Sequence, residues 1–372
     1  MKRWLQGGLI ALLPLLAGCT SVAYYWQSVS GHLSLMQAAR PIEHWLADEA
    51  SPPALKQRLQ LIARIRAFAS RELHLPDNAS YRSYADLGRP AAVWNVVAAP
   101  PDSLQLQQWC FPVAGCVTYK GYFDEAQARQ EAARLAAQGL ETAVLPVPAY
   151  STLGWLNWAG GDPLLNTFAA YPEADLARLI FHELAHQVVY VAGDTAFNES
   201  FATAVERLGG QAWLAQASDA VRAEHALTDG RRRQWRHLAL QLRRELHSLY
   251  QSHKAGADPQ DRKDPNLQQA RRNAHQDFVR NYEALKAGWG GYAGYDRWVA
   301  GLNNAQLGAL AEYEDLTPGF EQLWHNAGNW PAFYQEVRRL AELPKAQRHA
   351  ALQRGATRLA GDEAALHSAQ AK

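Results

Sequence analysis

The spacing of apolar positions divides the chain into three regimes. Between residues 53 and 73 it is helical, with Leu55, Leu59, Leu61, Ile62, Ile65 and Phe68 on one stripe that Pro76-Asp77-Asn78 ends. From residue 80 to 152 it changes to short apolar runs between turn residues. Residues 91–97, 116–119 and 142–147 read as strands of a small sheet, with 124–139 as a helix crossing it. A loop over 154–170 carries the turn signal Gly160-Gly161-Asp162-Pro163, and the helical period then returns almost to the end. The fold class is therefore α+β and mostly helical, with a sheet-containing region over 51–210, a helical region over 211–345 and a terminal helix or tail over 346–372.

Two helices in the middle carry the chemistry. The first opens at Pro172, has Glu173 and Asp175 in its first turn, and finds a stop at Gly193. Leu176, Ile180, Leu184 and Val191 form its apolar back, and His182, Glu183 and His186 its front. Histidines at i and i+4 stand one turn apart, so both imidazoles reach one metal ion; this is the H-E-x-x-H arrangement. Zinc suits such donors, and Glu183 beside it can take a proton from a zinc-bound water and deliver it to a leaving amine. The second helix covers 198–206 and is closed by Gly209-Gly210. Glu199, Thr203 and Glu206 share one of its faces. A catalytic zinc wants three protein ligands, so one of these glutamates completes the set. The short link 193–197 folds the two helices antiparallel.

H-E-x-x-H followed by an N-E-x-x-A helix resembles the gluzincin metallopeptidases, in which the glutamate of the second motif is the third zinc ligand. The chain is also similar to a family of bacterial lipoproteins designated aminopeptidases. That likeness is carried by Trp94-Asn95-Val96-Val97, Trp109-Cys110-Phe111-Pro112-Val113-Ala114-Gly115-Cys116, Tyr150-Ser151-Thr152-Leu153-Gly154, the two zinc motifs, Tyr295-Asp296-Arg297-Trp298 and Asn303-Asn304-Ala305. It implies a zincin-like fold with the sheet beside the active-site helix, and His182, His186 and Glu199 as ligands. Spacing favours Glu206 instead, because larger gluzincins separate the second histidine and the third ligand further. The local motif favours Glu199, which leaves Glu206 as alternative ligand or as acceptor for a histidine N–H.

Other positions follow from what a peptidase needs. Residues 147–153 are expected to form an edge strand that pairs with substrate. Asp162 is the nearest carboxylate for a substrate α-amine. Tyr292 and Tyr295, in the Gly/Tyr-rich stretch 288–295, are candidates to steady the tetrahedral intermediate. Asn303 and Asn304 either meet substrate backbone or cap a helix. Residues 231–254 and 266–286 are charged amphipathic patterns that read as a helical hairpin, with their arginines as solvated faces.

The N-terminus changes where all this is placed. Met1-Lys2-Arg3, an apolar run and Leu16-Ala17-Gly18-Cys19 resemble a bacterial lipoprotein signal over 1–18, with Cys19 lipidated and 19–50 as the anchored segment. A plain secretory signal is the alternative. Thr20 implies outer-membrane sorting, with the protein facing the periplasm. The two cysteines that remain, Cys110 and Cys116, favour a local disulfide over a metal pair. With 37 basic and 36 acidic residues, the net charge of +1 argues against nucleic acid. The expected function is a zinc-dependent peptidase acting on peptide or protein substrates, an aminopeptidase first. A periplasmic endopeptidase and a non-catalytic zinc-bearing scaffold are the alternatives.

Overall fold

The computed structural model describes residues 24–111, 115–152, 160–254, 264–311 and 316–355. The signal segment, Cys19, Leu153 and the tail beyond residue 355 lie outside them. In chain order the elements are α1 (residues 24–38), β1 (Arg40–Pro41), α2 (Ile42–Ala47), α3 (Pro53–Arg71), β2 (Ser83–Ala85) and β3 (Val93–Ala99). Then come β4 (Trp109–Phe111), β5 (Gly115–Val117), β6 (Lys120–Tyr122), α4 (Glu125–Ala136), β7 (Glu141–Val147), β8 (Leu164–Leu165) and α5 (Asn166–Ala169). The helical remainder is α6 (Glu173–Ala185), α7 (Thr195–Ala215), α8 (Asp219–Lys254), α9 (Pro265–Gly288), α10 (Asp296–Ala300), α11 (Asn304–Ala311), α12 (Thr317–Ala327), α13 (Trp330–Ala341) and α14 (residues 345–355).

The larger sheet is antiparallel in the order β6-β3-β7, with Trp94 opposite Tyr122 and Val96 opposite Val144. Successive residues of β3 face opposite sides, and both sides are covered. Trp94, Val96 and Ala98 pack with Ala128, Ala132 and Leu135 of α4, while Val97 and Ala99 pack with Ala305 and Ala309 of α11. A second sheet orders β1-β2-β8, and β4-β5 form a hairpin in which Cys110 and Cys116 sit opposite each other and are disulfide-bonded. Asn303 and Asn304 lock α11 to the sheet. Asn303 Nδ2 donates to Thr142 O at 2.9 Å and its Oδ1 accepts from Gln306 N; Asn304 Nδ2 donates to Pro100 O and Pro101 O. These side chains cap and fasten.

The main core lies among α3, α6, α7, α12 and α13, where Phe68, Phe181, Phe201, Phe320 and Phe333 meet. The pairing of α6 with α7 runs in opposite directions, as their contacts show. Glu173 meets Trp213, Arg178 meets Glu206, and His182 meets Glu199.

Both expected helix ends on this pair are corrected. Gly209-Gly210 do not stop the second helix, which continues to Ala215. A Cβ on Gly209 would stand 2.6 Å from Leu73 Cδ1, and one on Gly210 would stand 2.7 Å from Arg178 Cγ. The two glycines let α6 and Leu73, just past the end of α3, approach, and their backbone is helical. Gly209→Val is expected to overpack this contact and lower the unfolding free energy by about 1–3 kcal/mol, read from the urea midpoint. The first helix ends at Ala185 instead of near Gly193, with His186 as its C-cap. The first helix of the expected hairpin, read over 231–254, begins earlier: α8 starts at Asp219, in a stretch where Leu227 is exposed.

Asp194 ties the link between α6 and α7 to the end of the chain. It is 1% exposed, accepts from Phe197 N as the cap of α7, and lies 3.0 Å from Arg348 Nε and 2.9 Å from His349 Nε2 of α14. Asp194→Ala leaves the buried Arg348 without that partner, for an expected cost of about 3–5 kcal/mol by chemical denaturation.

Candidate metal centre

His182 occupies the last turn of α6, and His186 follows at its end. The chain then turns through residues 186–194. Asn198, 2% exposed, holds that turn with both ends of its amide: Val191 N donates to Oδ1 and Nδ2 donates to Val191 O, each at 2.8 Å. The asparagine of the N-E pair thus sets the link, and the next residue, Glu199, faces the imidazoles.

The geometry is a convergent triad. Glu199 Oε2 lies 3.3 Å from His182 Nε2 and 3.7 Å from His186 Nε2, and one donor atom from each of the three residues lies within 4.8 Å of the others. Donors about 2.0–2.1 Å from a tetrahedral zinc stand roughly 3.4 Å apart, and both glutamate–histidine distances lie within a few tenths of an ångström of that spacing. Glu206 meets the other nitrogen of the same ring, its Oε2 lying 3.1 Å from His182 Nδ1. Its Oε1 accepts from Arg178 Nε at 3.0 Å. Glu206 therefore orients His182 from behind. His186 Nδ1 is buried with no hydrogen-bond partner among the described residues.

A family model described as "Putative aminopeptidase" matches residues 23–352. The chain belongs to that family. Membership in the "Putative aminopeptidase" family supports peptidase activity in general. No curated protein and no solved structure matches the chain.

The electrostatics of this family member's site follow from buried charge. Burial disfavours the His182 cation, yet its hydrogen bonds to Glu199 and Glu206 raise its pKa well above the ordinary histidine value. Burial pushes His186 down to about 4. Glu199 lies below the usual carboxylate range because His186 and His182 outweigh burial; Glu206 falls to about 2 because His182 and Arg178 do the same. Among the described residues Glu183 has no such direct partner, and burial pushes its carboxyl up to about 7.

Three sequence candidates are not among the converging donors, although Asp162 is near enough to help raise Glu183. Asp162, 1% exposed, accepts from Thr152 N at 2.9 Å, from Thr152 Oγ1 at 2.7 Å and from Ser151 Oγ at 3.2 Å. It is a buried clasp between the ends of a loop, with its oxygens already engaged, and is not presented to a substrate amine. The same clasp corrects the edge strand expected over 147–153: β7 is an edge strand that ends at Val147, and Ser151 and Thr152 turn toward Asp162. Tyr295 stacks on Trp235 at 4.6 Å, and Tyr292 lies under Arg231, its ring centre 4.5 Å from the guanidinium carbon. Both phenols belong to an aromatic cluster on α8 and α9, not to the imidazoles. The tyrosines that do feel the site's carboxylates are Tyr81, Tyr119 and Tyr190. Burial raises all three, with Glu183 adding to Tyr81, Glu199 and Glu183 to Tyr119, and Glu199 to Tyr190. Among 15 tyrosines, nothing in their spacing singles these out.

Proposed function

We propose that the protein is a zinc-dependent peptidase in which His182, His186 and Glu199 hold the metal and Glu183 is the general base and then acid. The observation that carries this is the convergence of the three donors within 4.8 Å, with Glu183 next to His182 on the same helix. When bound, zinc supplies Lewis acidity at an open fourth position. Glu183 would take the proton of the attacking water and return it to the leaving amine. Glu206 and Arg178 hold the His182 ring in one orientation.

The family designation supports an aminopeptidase. The engagement of Asp162 favours a second reading, an endopeptidase, because it removes the carboxylate expected to receive a free amine. The purified chain is expected to carry about one zinc and to lose hydrolysis on chelation, with recovery on adding zinc back. Aminoacyl substrates and internally quenched peptides separate the two cleavage modes. Zinc bound with neither substrate cut would refute the peptidase and leave the scaffold.

We also propose that the mature protein is tethered by a lipid at Cys19 and faces the periplasm. The Cys110–Cys116 disulfide suits an oxidising compartment, and no helix among the described residues is long and apolar enough to cross a membrane. Release of the Cys19→Ser protein into the soluble fraction is the expected result.

A further inference from the structure

A cavity of about 650 Å³ runs between α6, α7 and α8 and begins at His182. Its wall on α6 contains Asp175, Arg178 and His182, at i, i+3 and i+7. Its wall on α7 contains Thr203, Glu206 and Gly210 at the same spacing. These are the helix faces that also carry His186 and Glu199. The groove therefore prolongs the line of candidate metal ligands toward the start of α6 and the end of α7.

Its third wall comes from α8, whose arginines the sequence pattern assigns to a solvated face. Among the described lining residues are five guanidiniums, of Arg178, Arg207, Arg232, Arg233 and Arg236, against three carboxylates. Each carboxylate is shared with guanidiniums. Glu206 is 2.8 Å from Arg178 and Asp175 is 2.7 Å from Arg232. Asp229 is met by Arg178 at 3.4 Å, by Arg232 at 3.9 Å and by Arg233. Arg207 is paired in turn with Glu321 at 3.5 Å, so three guanidiniums around one carboxylate, with Arg236 beside them, leave the groove a small positive excess. Their planar forks match a carboxylate in two-point geometry.

We infer that this groove binds a carboxylate of the substrate, either the free C-terminus of a short peptide or an acidic side chain. The inference rests on the peptidase reading for the identity of the ligand as a peptide. An incoming carboxylate would share the guanidiniums now gathered on Asp229. The substrate backbone would then run along the α6 and α7 faces toward His182.

The test is equilibrium binding by titration calorimetry to the zinc-loaded, full-length Glu183→Gln protein, so that nothing is consumed. Three probes suffice: amidated tetra-alanine, tetra-alanine with a free C-terminus, and an amidated version with one alanine replaced by aspartate. One or both acidic peptides are expected to bind about tenfold tighter than the neutral one, with the advantage shrinking as salt is raised. Which acidic probe gains identifies the source of the carboxylate. The advantage is expected to fall to about threefold or less when Arg233→Gln and Arg236→Gln are added. Should that protein misfold, Arg233→Gln alone, at a side chain 74% exposed, carries the test. Equal binding of all three peptides, or an advantage that survives the arginine substitutions, overturns the inference. Because binding is read without turnover, failure of the wild-type protein to cut any peptide would refute the peptidase separately.

Discussion

Replacing Glu183 by glutamine is expected to lower kcat/KM on a peptide substrate by about 10²–10⁴-fold while zinc stays bound. The amide keeps the size of the carboxylate and its place beside His182, so the fold and the donor triad are undisturbed. It cannot accept a proton from water. Glu183 takes no part in the contacts among His182, His186, Glu199 and Glu206, which is why its loss should separate chemistry from metal binding. The loss should fall on kcat with KM little changed, since an interaction made in the transition state is removed. Metal content by elemental analysis and steady-state kinetics on one preparation read both halves. Undiminished activity in the glutamine protein would remove Glu183 from the mechanism, and loss of zinc would make it part of the binding site.

What was legible in the sequence was what depends on local spacing. Histidines four apart on an amphipathic helix share a face wherever that helix is placed, and the apolar run 91–97 reads as a strand that the structure places at Val93–Ala99. What was not legible depends on partners distant in the chain or on side chains acting against the backbone pattern. The apolar stripe continues to Val191, yet the helix stops at Ala185 because the Asn198 amide captures the Val191 backbone. Gly209-Gly210 carry the composition of a stop, but their meaning is set by Leu73 and Arg178, which pack where a Cβ would stand. Asp162 reads as an available carboxylate until Ser151 and Thr152 are folded onto it. Tyr292 and Tyr295 lie in a stretch whose glycines suggest freedom, and Trp235 and Arg231 occupy both rings instead.

The choice between Glu199 and Glu206 shows how motif and spacing can both point at something real. Each glutamate touches His182, on opposite nitrogens of one ring. Only Glu199 also approaches His186, at 3.7 Å, so it alone can share a metal with both imidazoles. Structural zinc binding of about 10–16 kcal/mol over four ligands is roughly 3–4 kcal/mol each, so Glu199→Ala is expected to weaken zinc binding by on the order of 10²–10³-fold. Glu206→Gln should weaken it by only about 10–100-fold, because the amide still accepts a hydrogen bond from His182 or Arg178 and the ligand count is unchanged. Cobalt substitution distinguishes the roles beyond affinity. The visible spectrum should change in shape and intensity when Glu199 is removed and keep its shape when Glu206 is altered, because coordination number changes only in the first case. A larger affinity loss and an altered spectrum in the Glu206 protein would exchange the two assignments. The metal would then sit toward the Arg178 end of the groove, where His186 could no longer reach it.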